Sequence, residues 1–147
     1  MQSPWITRLV LAVIVSGLGA LALDWVIVTD QERIEEFVEA VTGEVRGDRI
    51  DKALEYVDVP RQSVEIVVDN QVRFYEGNVN TAVAEEARQT LAPFAGDNVR
   101  LLQDSIEVEE DHARVALRAS TPEGVLDVQF RLIRHDDQWL VSRVRVL

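Results

Sequence analysis

Apolar and polar residues alternate through the last third of the chain, from Val99 to Leu147. A period of two is typical of strands that place one face on a core and the other in water. Polar turns interrupt the alternation three times, so it predicts an antiparallel meander. We predict its strands at residues 99–108, 113–120, 125–134 and 139–146.

The two parities of these strands differ in chemistry. The apolar face is predicted to hold Leu102, Ile106, Val115, Leu117, Leu126, Val128, Phe130 and Leu132. The opposite face is predicted to hold Arg114, Arg118, Asp127, Gln129 and Arg131. In the last strand Trp139 and Val141 share one parity, whereas Val144 and Val146 share the other. A β-bulge near Ser142 would bring all four to the core side.

The first two predicted helices lie near the start of the domain. Thr29 to Glu32 fits a capping box, which indicates that a helix begins there. An apolar stripe at helical spacing follows and ends near Gly43 and Gly47. Its members are Ile34, Phe37, Val38, Val41 and Val45. Asp48 is predicted to cap a second, short helix, which Pro60 stops.

A hairpin and a third helix complete the predicted elements. Residues 63–68 and 71–75 are predicted to be two strands, with a turn at Asp69-Asn70. Residues 81–91 are predicted to form a helix, which Pro93 and Gly96 end.

The N-terminal segment predicts export by one of two routes. Leu9 to Leu23 carries no charge, which is short for a membrane span and long enough for the core of a signal peptide. Ala20-Leu21-Ala22 matches a small-x-small cleavage pattern, so a peptidase could cut after Ala22.

The flanks of this run favour an uncleaved anchor. Trp5 and Trp25 lie about 30 Å apart on a helix, which is the thickness of the hydrocarbon core. Arg8 is positive near one end, whereas Asp24 and further acids follow the other. We therefore predict a membrane anchor at residues 1–28, crossing at residues 5–25, with its N-terminus in the cytoplasm. A bacterial inner-membrane protein with a periplasmic domain at residues 29–147 is expected, and secretion after cleavage near Ala22 is the alternative.

Composition excludes several classes of function. The chain has 147 residues and a net charge of −11, so it would repel nucleic acids. Cysteine is absent, which excludes disulfides, thiolate nucleophiles, thiolate metal sites and lipoprotein attachment. Adjacent acids and histidines in tight turns seldom converge on one ion, so we expect no metal site and no cofactor.

A few side chains are candidates for a functional site. Asp104 is the only carboxylate with apolar parity in the predicted meander and is the residue to test as a general base. His112 and His135 fall at turns and are expected to be solvated. Five aromatic residues could line a ligand pocket or fill the core: Tyr56, Phe74, Tyr75, Phe94 and Trp139.

The polar face of the meander has two interpretations. Arg114, Arg118 and Arg131 could form an ordinary solvated face, paired across strands with Asp127 and Glu107. Alternatively they could form a contact surface, because arginine is enriched at interfaces.

The order of elements resembles the nuclear transport factor 2-like superfamily, which includes ketosteroid isomerase and scytalone dehydratase relatives. The resemblance covers Thr29 to Leu147 and rests on element order, the Gly47-Asp48 step and the Asp137 to Val141 opening of the last strand. It implies an α+β cone, in which three helices pack against a strongly bent antiparallel sheet and leave a pocket at the wide end. It also implies frequent dimerisation through the outer sheet face.

Proteins with this fold differ in function, so the resemblance supplies none by itself. Besides a structural partner of a membrane complex, positioned by its anchor, we consider two functions. The first is a membrane-tethered, extracytoplasmic binding or protein-interaction module without catalytic machinery. The second is an exported isomerase or dehydratase that acts on a small hydrophobic substrate with Asp104 as base. The isomerase relatives pair such a base with a tyrosine and a protonated aspartic acid, and no such partners are evident here.

Overall fold

Helices and strands alternate in the first half of the described chain, and four long strands form the second half. A computed structural model describes residues 30–147. The helices are α1 (residues 30–41), α2 (Gly47–Leu54) and α3 (Asn80–Leu91), with a 3-10 turn at Ala92–Phe94. The strands are β1 (Gly43–Glu44), β2 (Val64–Val68), β3 (Gln71–Tyr75), β4 (Asn98–Glu109), β5 (His112–Thr121), β6 (Gly124–His135) and β7 (Gln138–Val146).

The strands form one seven-stranded sheet in the order β1-β4-β5-β6-β7-β2-β3. Neighbours pair antiparallel except at the junction of β7 and β2, where the pairing is parallel and sets Ile66 opposite Val144. The predicted meander and hairpin are therefore confirmed, but they belong to one sheet. The expectation of an antiparallel sheet is wrong at this junction. The last strand, β7, lies beside β2 and runs in the same direction, although the two strands are far apart in sequence.

The turn of the β2–β3 hairpin follows its sequence. Asp69 and Asn70 have φ of 49° and 62°. A two-residue turn with both residues in this region matches the right-handed twist of the flanking strands. Aspartate and asparagine tolerate the conformation better than other residues with a side chain.

A bulge in β7 resolves the parity conflict of the last strand. Leu132 pairs with Val141 and Arg131 pairs with Arg143, so Ser142 is the extra residue. Its hydroxyl donates a hydrogen bond to the Arg131 carbonyl at 3.1 Å. The predicted bulge near Ser142 is confirmed, and it turns Val144 to the core side.

The core lies between α1 and one face of the sheet, which we call the inner face. Ile34 and Phe37 of α1 are 0% and 1% exposed. The Phe37 ring meets Phe130 edge-on, with the centroids 5.0 Å apart. The buried cluster is completed by Val38, Val59, Val64, Ala113, Val115, Leu117, Leu132, Trp139 and Val141. Ile34–Leu147 form one compact unit.

The end of α1 depends on Gly43 and on an arginine from the next helix. Gly43 has φ of +89°, a conformation that favours glycine, and it starts β1. The Arg49 guanidinium donates hydrogen bonds to the carbonyls of Glu39 and Thr42 at 2.9 and 2.6 Å. These bonds satisfy acceptors that the helix end leaves free. Val45, predicted on the helical stripe, instead lies beyond the helix.

The cap of α2 differs from prediction. Arg46 occupies the N-cap position without a side-chain cap bond, and Asp48 lies in the first turn, where it accepts from the Arg46 guanidinium at 3.3 Å. Asp48 still lies near the positive end of the helix dipole. No helix within residues 30–147 is long and apolar enough to cross a membrane. The predicted anchor, the cleavage site and the Thr29 cap lie outside the described residues, and the domain boundary at residue 28 stays a prediction.

Candidate functional site

Asp104 lies in β4 opposite Leu117, so it has the parity of the inner face. Its side chain is nevertheless exposed, and it borders an open cavity of about 220 Å³. The other polar side chains of that cavity are Gln103, Ser105, Arg118, Asp127 and Gln129. The cavity brings neither a tyrosine nor a histidine to Asp104.

The five candidate aromatic residues occupy separate places. Trp139 is 2% exposed in the core, below the Arg134 guanidinium at 5.8 Å, and Tyr56 meets Phe37 edge-on at 5.1 Å. Phe74 is 59% exposed on β3. The Tyr75 hydroxyl donates to Glu86 at 3.1 Å, and Phe94 ends the 3-10 turn. None of the five lines the cavity beside Asp104, and their role as a ligand pocket stays a prediction.

The surroundings of Tyr56 affect the pKa of its hydroxyl. Burial disfavours the phenolate and raises the pKa of Tyr56 above its ordinary value, and the nearby carboxylates of Glu36 and Glu55 raise it further. The hydroxyl is therefore neutral across the physiological range and is not a ready base.

Both histidines have polar partners at the ends of strands. His112 contacts the carboxylate of Asp111, and His135 Nε2 lies 2.8 Å from the Gln62 side-chain oxygen. Within residues 30–147, no group of three or more histidine, aspartate or glutamate side chains is arranged to hold a metal ion.

The face of the sheet opposite α1, which we call the outer face, carries the densest group of charges on the sheet. Cross-strand pairing sets Arg114 opposite Arg131, and Arg131 opposite Arg143. We call these three residues the arginine row. Glu107 of β4 and Glu65 of β2 flank its two ends, and Phe74 pairs with Glu65 on the edge strand.

A parallel row lies next to it on the same face. Its members are Ser105, Ala116, Gln129, Arg145, Val67 and Val72, each opposite the next in the sheet register. Ala116 and Gln129 are exposed, and Val72 is 60% exposed. Small side chains beside arginines leave space, and an open cavity of about 390 Å³ lies here.

Sequence reasoning identified part of this surface. It placed Arg114, Arg118 and Arg131 on the outer face, and the expected pairs form: Arg114 with Glu107 at 4.0 Å and Arg118 with Asp127 at 3.8 Å. It missed Arg143, although the predicted bulge at Ser142 turns Val144 inward and therefore turns Arg143 to the outer face. It also missed Glu65 and Phe74. They align with the arginine row only because β2 pairs in parallel with β7, and a pairing between strands so far apart in sequence cannot be predicted from the alternation within each strand.

Comparison with known proteins defines the fold and no more. No family model and no curated protein matches this chain. A nuclear transport factor 2-like protein of unknown function from Pseudomonas putida is similar, with a TM-score of 0.59, 12% identity, and coverage of 80% of this chain and 82% of that one. A candidate ketosteroid isomerase from Shewanella frigidimarina aligns with a TM-score of 0.56, 12% identity and coverage of 79% and 92%.

A de novo designed protein with a curved β-sheet is also similar, with a TM-score of 0.56, 15% identity and coverage of 80% of this chain and 97% of the designed one. The resemblance inferred from the sequence is thus confirmed at the level of fold. The chain has a nuclear transport factor 2-like fold, which hosts proteins of different function and does not itself assign one.

Proposed function

We propose that this chain is a membrane-tethered, extracytoplasmic interaction module that binds a protein partner through the outer face of its sheet. The observation that carries the proposal is the outer face itself, where Glu65 separates the arginine row from Phe74, which is 59% exposed on the edge strand. Arginine and aromatic residues are enriched at protein interfaces and at their energetic centres.

The chemistry of this face suits binding better than catalysis. Its arginines cannot act as bases at physiological pH. Asp104, the candidate base, borders a cavity that is open to solvent and has no tyrosine among its lining residues. The alternative function, an isomerase or dehydratase with Asp104 as base, therefore has less support than the interaction module.

The tether is proposed from residues 1–28. Mass spectrometry of the mature chain tests it: an intact N-terminal segment supports the anchor, and a start at Leu23 would replace it with secretion. The side of the membrane is testable because the chain has no cysteine. A Glu110→Cys variant should react with a membrane-impermeant maleimide in cells whose outer membrane is permeabilised. Reaction only after lysis would contradict export.

A second copy of this chain is the partner expected from the resemblance, through Arg114, Arg118 and Arg131. The register gives a reason to favour a different protein. A two-fold axis through the centre of the arginine row would set Arg131 against its own copy, and like charges oppose such a symmetric contact. A homodimer through this face remains the competing outcome of the experiment.

Photo-crosslinking from the outer face tests the proposal. Benzoylphenylalanine in place of Gln129, in the full chain in its native membrane, should yield one discrete crosslinked species. The same probe in place of Thr90, an exposed residue of α3, is the matched control and should yield none. A crosslinked species with twice the mass of the chain would identify a homodimer. Equal crosslinking from both positions, or none from position 129, would contradict the proposal.

A further inference from the structure

The arginine row holds a positive charge that the described residues do not compensate. Like charges directly opposite each other in a sheet destabilise the pairing. Arg114 and Arg143 each have a carboxylate beside them, Glu107 at 4.0 Å and Glu65 at 3.3 Å. Arg131, between them, has no ion-pair partner among residues 30–147. The centre of the row is therefore where an added negative charge would be stabilised most.

Hydrogen-bonding capacity is also left over in the row. The Arg143 Nε is buried and has no hydrogen-bond partner, although it lies 3.3 Å from the Glu65 carboxylate. The contact brings opposite charges together without the alignment that a hydrogen bond needs. A planar guanidinium recognises a carboxylate through two parallel N–H groups, and such geometry is missing for this contact.

Two open cavities meet at the arginine row. One has a volume of about 390 Å³ and the other about 470 Å³. Both cavities are lined by Arg114, Arg131 and Arg143, and no other residue lines both. Their neighbour Arg145 lines only the first cavity. Both cavities are therefore bordered by all three arginines of the row.

We infer that the arginine row is a receptor for one carboxylate group of a partner polypeptide, an inference that rests on the proposed function. Besides His112, the charged side chains that line the two cavities are four arginines and three glutamates, with a net charge of +1: Arg114, Arg131, Arg143, Arg145, Glu65, Glu107 and Glu109. One carboxylate neutralises this set, whereas a phosphate dianion would leave an excess of negative charge. The fork geometry of arginine also matches the planar carboxylate.

Phe74 extends the inference to a spacing in the partner. From Arg131 on β6 the sheet passes through β7 and β2 to Phe74 on β3, which is three strand spacings or about 14 Å. An extended polypeptide covers about 13 Å in four residues. The partner segment should therefore carry an acidic residue and a large apolar residue four positions apart, and it should run across the strands.

Binding of a defined peptide tests the inference. The full chain, in nanodiscs of phosphatidylcholine, is titrated against fluorescein-labelled, C-terminally amidated Gly-Ser-Glu-Ser-Thr-Ser-Leu-Ser-Gly and against the same amidated peptide with glutamine for glutamate. Fluorescence anisotropy at fixed ionic strength should show about tenfold tighter binding of the acidic peptide, as expected for charge-assisted hydrogen bonds. Arg131→Gln should remove this difference, and Arg131→Lys should keep only part of it because it lacks the fork.

Arg118→Gln is the matched control. Arg118 lies on the same face and pairs with Asp127 outside the row, so its loss removes the same charge and should leave the tenfold preference in place. Equal losses in both variants would show that overall charge alone attracts the peptide. Equal binding of the two peptides, or stronger displacement by inorganic phosphate than by acetate, would also overturn the inference.

The outcomes separate this inference from the proposed function. Crosslinking from position 129 that persists unchanged in Arg131→Gln would keep the interface and reject the carboxylate receptor. Peptide binding that requires Arg131, with no crosslinking from position 129, would keep the carboxylate receptor and reject the protein interface.

Discussion

The inner and outer faces of the sheet are built from the same strands, yet they are opposite in chemistry. In β5 the inner residues Ala113, Val115 and Leu117 are at most 5% exposed, whereas the outer residues between and beside them are exposed. The inner face is explained by folding, because burial of apolar area is the main source of stability. Folding does not require three adjacent arginines on the outer face, and this excess of charge is why we propose that the outer face binds a partner.

The largest effect should come from truncating one inner residue. Leu132 is 0% exposed, and Leu132→Ala should lower the free energy of unfolding by about 2–5 kcal/mol through lost burial and a cavity. Its neighbour Arg131 points to the outer face, and Arg131→Ala should change stability by less than about 0.5 kcal/mol. Urea unfolding of the two variants measures both. Similar losses would remove the distinction between the faces.

A smaller loss should follow from a change at the edge of the inner layer. In Gly43→Ala the new Cβ would clash with the Arg49 guanidinium, and the residue would keep a φ of +89°. The Arg49 side chain would have to move and weaken its bonds to the end of α1, and the backbone would be strained. We expect a loss of about 1–3 kcal/mol in thermal unfolding.

Gly47→Ala is the control for this change, because a Cβ there meets nothing within 4 Å and φ is not positive. It should be neutral or slightly stabilising. An unchanged melting temperature for Gly43→Ala would contradict the role assigned to the Arg49 cap.

Neutralising the centre of the arginine row should act in the opposite direction. At low salt Arg131→Gln should raise the free energy of unfolding by about 0.2–0.5 kcal/mol, because it removes two like-charge pairs. Arg118→Gln should lower it slightly, because Arg118 faces Asp127 at 3.8 Å. Both effects should diminish at 1 M salt. A loss of stability in Arg131→Gln would show that the row is compensated.

The smallest effect concerns Tyr56 at high pH. Its pKa is raised in the folded chain, so the unfolded chain releases the phenolic proton first. The contribution of the neutral Tyr56 phenol to the free energy of unfolding is therefore complete below about pH 10. It is lost as the pH rises through the pKa of Tyr56 in the folded chain. Tyr56→Phe should lessen the loss of stability above pH 10, and the part of the absorbance rise at 295 nm that belongs to Tyr56 should be missing from the folded variant. A phenol that titrates in the ordinary range would contradict its burial.

The alternation of apolar and polar residues predicted the strands well, because every second residue of a strand in this sheet faces the core. It also predicted the bulge, since Trp139 and Val144 could not otherwise share a face. It failed where distant segments meet. The parallel junction of β2 with β7 depends on packing between parts of the chain far apart in sequence, and this junction aligns Glu65 and Phe74 with the arginine row.

The candidate site illustrates the same limit. Asp104 has the parity of Ile106, yet it is exposed. It lies two residues beyond a bulge at Leu102, where Leu101 instead takes the position opposite Ala119. The exposure of a side chain depends on which helices and strands pack over it. The alternation of apolar and polar residues along one strand does not predict that packing. Arg114 and Arg131 could be assigned to one face from parity alone, but their adjacency to Arg143 required the register of three strands.

Protection of the outer face in the native membrane tests the central claim most directly. Single Gln129→Cys and Thr90→Cys variants of this cysteine-free chain are labelled with a maleimide in native membranes and after purification. A bound partner predicts that Cys at position 129 reacts at least about tenfold more slowly in membranes, a protection that saturated binding readily provides. At position 90 the two rates should agree. Equal rates for position 129 before and after purification would contradict the assignment of the outer face to binding.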